Sequence, residues 1–404
     1  MKHSQDYIEL ENRVGALNYH PLPVVLSRGE GAFLWDLEGN KYLDFLSAYS
    51  AVNQGHCHPK IIQALIEQAK RLTLTSRAFH NDQLGPYEKF VTDYFGYDRL
   101  LPMNTGVEAG ETAIKLCRKW GYQQKRIAEN KAKIIFASGN FWGRTIAAVS
   151  SSTDPLTYKE FGPFTPGFEI IPYNDLVALE KACHDPSVAG FMVEPIQGEA
   201  GVIIPDTGFL KGVRDICSRH RVLFIADEIQ TGLGRTGKLL ACDHEQVKPD
   251  LLILGKALSG GVLPVSAVLG SHEVMLCLKP GEHGSTFGGN PLACAVAKIA
   301  LEVLRDEKLA EKAEVLGLLF RDTLLPLTQL SWVKEIRGKG LLNAVEIDPN
   351  YKHTALEICL SLAKKGLLAK PTHGHIIRFA PPLVIAKADL LWGCDQIMTT
   401  FNEH

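Results

Sequence analysis

The chain has 404 residues, 46% of them hydrophobic and 22% charged, with a formal net charge of −2. That balance is typical of a globular protein able to bury one large core and a smaller one, and two domains are the default at this length. With no basic run and no aromatic–basic alternation, nucleic acid and anionic membrane surfaces are poor partners, and a small-molecule partner is expected.

Met1 to Arg13 is polar and mixed in charge, with neither the apolar core of a secretory signal nor an Arg-rich presequence. No apolar run is long enough to span a bilayer. A cytoplasmic location is expected, although a matrix protein stripped of its presequence would read the same. The nine cysteines are scattered without a Cys-x-x-Cys pair, so reduced, structural thiols are expected.

The first unit, 1–49, contains a predicted hairpin, Phe33 to Asp36 and Tyr42 to Phe45, around Glu38-Gly39-Asn40. It is expected to pack on the small domain or on a neighbouring subunit. Through the second unit, 50–308, helical and strand patterns alternate. Ile61, Ile62, Leu65, Ile66, Ala69 and Leu72 trace one helix face, and Ala113, Leu116, Cys117 and Trp120 trace another. Apolar runs at 133–137, 168–171, 191–193, 222–226, 251–254 and 265–269 read as strands. Alternation of this kind predicts an α/β fold with a mainly parallel sheet covered by helices on both faces, whose ligands collect at the carboxyl ends of its strands. After the helix opened by Asn290 and Pro291, a third unit, 309–404, reads as a smaller C-terminal α/β domain.

Lys256 follows the run Leu251 to Leu254, and Asp227 ends the run Val222 to Ala226. Two buried strands thus bring an amine and a carboxylate to one sheet edge. Pyridoxal phosphate needs this pair: an amine to hold its aldehyde as a Schiff base, and a carboxylate to keep its ring nitrogen protonated. Thr105 and Glu108 have the spacing of a capping box around Gly106 and Val107, which suits phosphate at a helix N-terminus. An ordinary capped helix has the same signature.

Phe141-Trp142-Gly143-Arg144 offers an aromatic face for a ring and a planar fork for a carboxylate, or equally a core aromatic pair beside a surface arginine. Gln230, three residues after Asp227, can reach a ring hydroxyl. Ser285-Thr286 opens a small-residue turn suited to phosphate across a dimer interface, or merely a helix entry. Glu194 and Glu199 close a strand, and either would pass for a surface acid. Gly232 to Gly237 spells G-x-G-x-x-G without the strand-then-helix context of a nicotinamide site, and is read as a flexible turn near the site. His56-Cys57-His58 lacks further ligands at metal spacing, so no metal is expected.

Together, Asn104-Thr-Gly-Val-Glu-Ala-Gly-Glu-Thr-Ala113, Val193-Glu-Pro-Ile-Gln-Gly-Glu199, Asp227-Glu-Ile-Gln-Thr-Gly-Leu-Gly-Arg-Thr-Gly237, Gly255-Lys-Ala-Leu-Ser-Gly-Gly261 and Gly284-Ser-Thr-Phe-Gly-Gly-Asn-Pro291 resemble the class III pyridoxal-phosphate-dependent aminotransferases over nearly the whole chain. Tyr19, the run from Phe45 through Tyr49 to Pro59, and Arg118-Lys-Trp-Gly-Tyr122 are similar to the members acting on ornithine. The resemblance implies a fold type I homodimer with its active site at the subunit interface and pyridoxal 5'-phosphate as cofactor. It implies Lys256 as the covalent and proton-moving amine, and Asp227 on the ring nitrogen. Gln230 would meet the ring hydroxyl, with Phe141 stacked and Trp142 beside the ring. Gly106, Val107 and the partner's own copy of Thr286 would bind phosphate.

For substrate, the resemblance implies Tyr19 and Arg144 on the α-carboxylate and amine end of ornithine, with Tyr49 lining the channel. Arg378 would read the second carboxylate of glutamate or 2-oxoglutarate, and Glu199 would mask it while ornithine reacts. N-acetylornithine and 4-aminobutyrate are the competing substrates, and a cofactor-binding protein without turnover is the competing class. The stretch Pro371-Thr-His-Gly-His375, ahead of Arg378, departs from the pattern and leaves that loop's shape open.

Overall fold

The computed structural model describes residues 3–404. Its centre is a seven-stranded sheet in the order Arg99–Met103, Ser266–Gly270, Leu251–Leu254, Leu223–Asp227, Val188–Val193, Lys133–Ala137, Phe168–Ile171. The pairs from Leu251–Leu254 to Phe168–Ile171 are parallel, and only Ser266–Gly270 runs antiparallel to both of its neighbours. The sheet is therefore mainly parallel.

Strand periodicity explains why both faces are covered. Ile134, Phe136, Leu223, Ile225 and Ile253 point to one side and pack with Ala113, Leu116 and Trp120 of helix Gly106–Gln123. Ile135, Ala137, Phe224 and Ala226 point to the other, against Leu179 of helix Leu176–Cys183 and Val213 and Cys217 of helix Phe209–His220. Each fully buried large side chain of this kind contributes ~1.5–3 kcal/mol, so neither face can be left bare.

Local signals hold where side chains satisfy helix ends. The Thr105 hydroxyl accepts from the Glu108 N–H, and the Glu108 carboxylate accepts from the Thr105 N–H at 2.8 Å. Asn290 caps helix Pro291–Asp306 by accepting from the Ala293 N–H at 2.8 Å. In the hairpin near residue 38, Asp36 accepts from the Asn40 N–H, the Asn40 amide and the Tyr42 hydroxyl, each at 2.8 Å.

Two smaller sheets flank the centre. One joins Leu26–Glu30, Phe33–Asp36 and Lys41–Asp44 to Leu367–Leu368, so the N-terminal segment is stitched to the C-terminal part of the chain. The other is antiparallel, in the order Val333–Lys339, Leu342–Ile347, Ile376–Phe379, Lys370–Thr372. It settles the shape of the loop before Arg378. Thr372 pairs with Ile376 around a tight turn in which His373 and Gly374 take φ of +47° and +79°.

The turn at Gly232–Gly237 is a correction to the flexible reading. Arg235 is completely buried, and its guanidinium donates to the Leu341 and Pro381 carbonyls at 3.0 and 2.6 Å and to Asn53 Oδ1 at 2.5 Å. A cation spanning three segments makes this turn a fastening point. Among the described residues, no helix is long and apolar enough to cross a membrane. The nine thiols are all free, and eight of them are buried, Cys57 being the exposed one.

Candidate active site

Asp227 is the last residue of its strand, and Lys256 lies two residues beyond the end of the adjacent parallel strand, after Gly255. Lys256 takes a φ of +45°, a left-handed conformation that costs a side-chain-bearing residue roughly 1–2 kcal/mol. Gly260 and Gly261, at φ +63° and +79°, complete that turn.

These strand ends open into a cavity of about 250 Å³ whose wall includes Gly106, Val107, Phe141, Trp142, Glu194, Glu199, Asp227, Gln230 and Lys256. Each member is delivered by the local fold. Gly106 and Val107 form the first turn of the capped helix, with backbone amides unused by the helix itself. A Cβ on Gly106 would lie 2.9 Å from Ile229 Cδ1, so glycine lets that turn sit against the strand end. Phe141 leaves the loop after Lys133–Ala137, and buried Trp142 is pinned by its indole N–H donating to Ser151 Oγ at 2.8 Å.

The electrostatics are those of charges removed from water. Lys256 is half-buried because the cavity reaches it, yet its amine lies deep in protein, and desolvation lowers its pKa to about 8 despite Glu199 and Asp227 nearby. Asp227 accepts from the Ile229 N–H at 3.0 Å, and burial pushes its carboxyl up to about 7. Glu194 is pushed up to about 8 by burial first and by Asp227 second. Neither Glu194 nor Glu199 is the plain surface acid that sequence allowed. Glu194 is buried, and Glu199 is ion-paired.

That pair is Arg378 Nη1 to Glu199 Oε2 at 2.8 Å, with the arginine buried and the glutamate half-buried. The Arg378 guanidinium also lies 5.2 Å from the centre of the Tyr49 ring. Tyr49 is presented by an unusual stretch in which Ser47, Ala48, Tyr49 and Ser50 take φ of +51°, +47°, +61° and +68°. Asp44 Oδ1, accepting from the Leu46 and Ser47 N–H groups, and the Ser47 hydroxyl, donating to the Ala380 carbonyl at 2.5 Å, hold that stretch. Arg144 is exposed, with its guanidinium 5.6 Å from the Phe141 ring centre, and lines an outer cavity of about 600 Å³ with Glu199, Thr372 and His373.

Beyond the Glu199–Arg378 pair, Arg144 lines only the outer cavity, Tyr49 lines a third cavity of about 330 Å³ with Leu22, Leu34 and Lys370, and Tyr19 and Thr286 line none of the three. Tyr19 is 62% exposed, its ring 5.8 Å from the Lys370 amine, and is not on the cavity wall. Thr286 is exposed on the turn that Asn104 ties down by donating to Ser285 Oγ at 2.8 Å, and it too lies off the wall.

His56 and His58 diverge, one to Asp44 at 2.7 Å and the other to Glu307 at 3.0 Å. Glu180, His184 and His220 bring ligand atoms within 4.8 Å of one another, but both Glu180 oxygens are taken, by His220 and Arg219 at 2.6 Å each. This is an ion-pair network joining two helix ends.

The chamber fits pyridoxal 5'-phosphate by its unmet needs. Gln230 Oε1 is buried without a partner. Asp227 has a single backbone donor, and its raised carboxyl calls for a cation such as a protonated ring nitrogen. Free first-turn amides suit a phosphate, Phe141 offers a flat apolar face, and an easily deprotonated amine stands opposite.

A helix-covered sheet carrying this lysine and aspartate at its strand ends defines a coenzyme-dependent amino-group transferase, and the chain belongs to the class III aminotransferases, whose family profile (Aminotransferase class-III) matches residues 14–401. Its cofactor is pyridoxal 5'-phosphate. Among its relatives is the mitochondrial ornithine aminotransferase of Drosophila ananassae, 65% identical over 98% of this chain and 91% of that protein. The crystal structure of ornithine aminotransferase from Toxoplasma gondii has a TM-score of 0.98 at 54% identity, covering 100% of this chain and 96% of that one. A second structure of that enzyme is described as having partial occupancy of PLP at its active site. The acetylornithine aminotransferase of Elizabethkingia anophelis is also similar, with a TM-score of 0.92 and 56% identity over 100% of both chains.

Proposed function

We propose that this chain transfers the δ-amino group of L-ornithine to 2-oxoglutarate, giving glutamate 5-semialdehyde and L-glutamate. The observation that carries the reading is the Glu199–Arg378 pair at the edge of the Lys256 chamber. Ornithine reacts through a terminal carbon without a carboxylate, whereas glutamate reacts through a carbon that bears one. A bare guanidinium at this point would draw in the wrong end of ornithine. Glu199 masks it for the first substrate, and Arg378 is released to grip the carboxylate of the second.

When bound, pyridoxal phosphate supplies the aldehyde that carries the amino group and the ring that withdraws electrons from the reacting carbon. Asp227 would hold a proton at the ring nitrogen, Gln230 would meet the ring hydroxyl, and Phe141 would stack on the ring with Trp142 beside it. Gly106 and Val107 take the phosphate. The Lys256 amine would bind the coenzyme's aldehyde and would move a proton at the reacting carbon, for which an amine with a pKa lowered to about 8 is suited. Arg144 and Tyr19 receive the α-carboxylate and amine end of ornithine, and Tyr49 lines the channel.

The relatives named for ornithine support this reading, and one relative's name favours N-acetylornithine as the second. An acyl group on the α-nitrogen removes the charge that a phenol at position 19 would meet. The purified enzyme, given 2-oxoglutarate, is expected to turn ornithine into glutamate 5-semialdehyde, trapped as an adduct, faster than it uses N-acetylornithine. The opposite preference would overturn the substrate assignment, and no glutamate from either would overturn both.

We further infer a homodimer in which Thr286 of each chain completes the other's phosphate site; exposed Thr286 beside Phe287, which is 57% exposed, supports it. The three-unit division at 49/50 and 308/309 stands as our reading of the domains. Free, buried thiols suit a reducing compartment, either the cytoplasm or the mitochondrion named for the fly relative.

A further inference from the structure

Glu194 follows strand Val188–Val193 directly, is 7% exposed, and has no part in the roles above. Its two oxygens accept from two separate backbone amides, Oε1 from Phe141 N at 2.9 Å and Oε2 from Gly198 N at 3.2 Å. Phe141 is the aromatic wall of the chamber. Gly198 immediately precedes Glu199, the partner of Arg378. One carboxylate therefore fastens the ring-stacking loop and the gating loop to the same strand end.

The gating loop is held from other sides as well. The Thr372 hydroxyl donates to the Glu199 carbonyl at 3.0 Å, and Arg337 Nη2 donates to the Gly201 carbonyl at 2.8 Å. A Cβ on Gly198 would lie 1.7 Å from Gln230 Oε1, so its backbone is pressed against the residue assigned to the ring hydroxyl. With the backbone clamped at these points, the Glu199 side chain is the part free to swing.

We propose that Glu194 is a positioning residue which, as a carboxylate accepting at both oxygens, keeps Phe141 and Glu199 in register across the coenzyme chamber. The Glu199 half of this inference rests on the function proposed above. Both facing groups are N–H donors, so the ionised carboxylate, which prevails above the value of about 8 to which burial raises Glu194, meets them with both oxygens. Glutamine offers one oxygen and one NH2, and the NH2 would point at an N–H. Aspartate keeps both acceptors but is one methylene short.

The test uses coenzyme-loaded wild type, Glu194→Gln and Glu194→Asp at about pH 9, where the Glu194 carboxyl is ionised. In Glu194→Gln the coenzyme's induced circular dichroism is expected to fall as Phe141 loses its anchor. Transfer from the α-amine of ornithine, relative to the δ-amine, is expected to rise about tenfold, roughly the effect of one charge-assisted hydrogen bond. Glu194→Asp should fall between the two, and it carries the test with the same readouts if the glutamine variant fails to accumulate.

Unchanged dichroism overturns the proposal. Dichroism that falls without a change in the ratio of α- to δ-transfer overturns the link to Glu199. Should wild type itself leave ornithine untouched, the substrate reading fails, while dichroism still decides the Phe141 anchor.

Discussion

The strand-end chamber and the Glu199–Arg378 gate are both charged and both largely buried, yet they are built on opposite electrostatic plans. In the chamber, Lys256 is driven towards neutrality and Asp227 and Glu194 towards protonation, because burial outweighs the partners each finds in the protein. At the gate, each charge already has its counterion at 2.8 Å. The chamber's buried Gln230 oxygen and Asp227 carboxyl suit the charge and hydrogen bonds that a coenzyme supplies. The gate is complete, and in the function proposed above it would be broken for the second substrate, whose carboxylate would replace Glu199 in the same step.

The largest expected effect follows from removing the amine on which the chamber is built. Lys256→Ala should lower turnover by at least about 10⁴-fold, combining loss of covalent attachment with loss of proton transfer. The coenzyme's absorbance should still titrate onto the variant through Asp227, Gln230 and the first-turn amides. Near-normal turnover would mean that the chamber is not the reaction centre.

Next comes the pH response of the coenzyme-free protein. Asp227 and Glu194 have folded pKa values raised to about 7 and about 8, from 3.8 and 4.5. A raised carboxyl binds its proton more tightly in the folded chain, so stability is highest at low pH and is lost as pH climbs through that window. Lys256, depressed from 10.5 to about 8, acts above that range and with opposite slope, since there the unfolded chain holds the extra proton. Denaturant unfolding of the coenzyme-free form should therefore weaken by roughly 2–4 kcal/mol between about pH 5 and pH 8, against a ceiling of ~1.4 kcal/mol per group per pH unit. Asp227→Asn should flatten that slope, and loading the coenzyme should do the same in wild type. A slope indifferent to both would show that these burials are not what sets the chamber apart.

The chamber's frame was the more legible of the two regions because it is written in periodicity. Apolar runs ending at Asp227 and just before Lys256 name buried strands, and the Thr105–Glu108 spacing names a helix entry. What escaped was decided by tertiary partners. Nothing in Ser47-Ala-Tyr-Ser50 announces four consecutive positive φ angles, since no glycine marks them and their supports are Asp44 and the distant Ala380 carbonyl. Arg235 looked like part of a loose glycine turn, because its three acceptors lie at residues 53, 341 and 381. Glu194 and Glu199 read alike in sequence. Only the fold gives one a pair of backbone amides and the other a guanidinium. That Ser266–Gly270 runs against its neighbours was likewise invisible, since a fully buried strand reads the same in either direction.

The gate offers the third break. Arg378→Ala should raise KM for 2-oxoglutarate about a hundredfold, in line with truncating one partner of a buried charge pair. The half-reaction with ornithine should suffer far less, because there the arginine is masked. Equal damage to both half-reactions, measured separately by the coenzyme's absorbance, would mean that the pair is structural and that the contrast with the chamber is false.

The smallest effect tests how far the gate's logic extends to the mouth of the site. Tyr19 stands outside the chamber, 62% exposed over Lys370, where a phenol can meet the charged α-amino end of a substrate whose far amine reaches Lys256. Tyr19→Ile keeps bulk and removes the hydroxyl and ring. One polar contact to a charged group corresponds to about tenfold in kcat/KM, so ornithine should lose about that factor while 4-aminobutyrate, which has no α-amine, should lose little. Because Tyr19 touches neither the Glu199–Arg378 pair nor the strand ends, the 2-oxoglutarate KM should stay at its wild-type value. Equal losses for ornithine and 4-aminobutyrate would remove Tyr19 from substrate selection and leave Arg144 and the gate to discriminate between the two ends of ornithine.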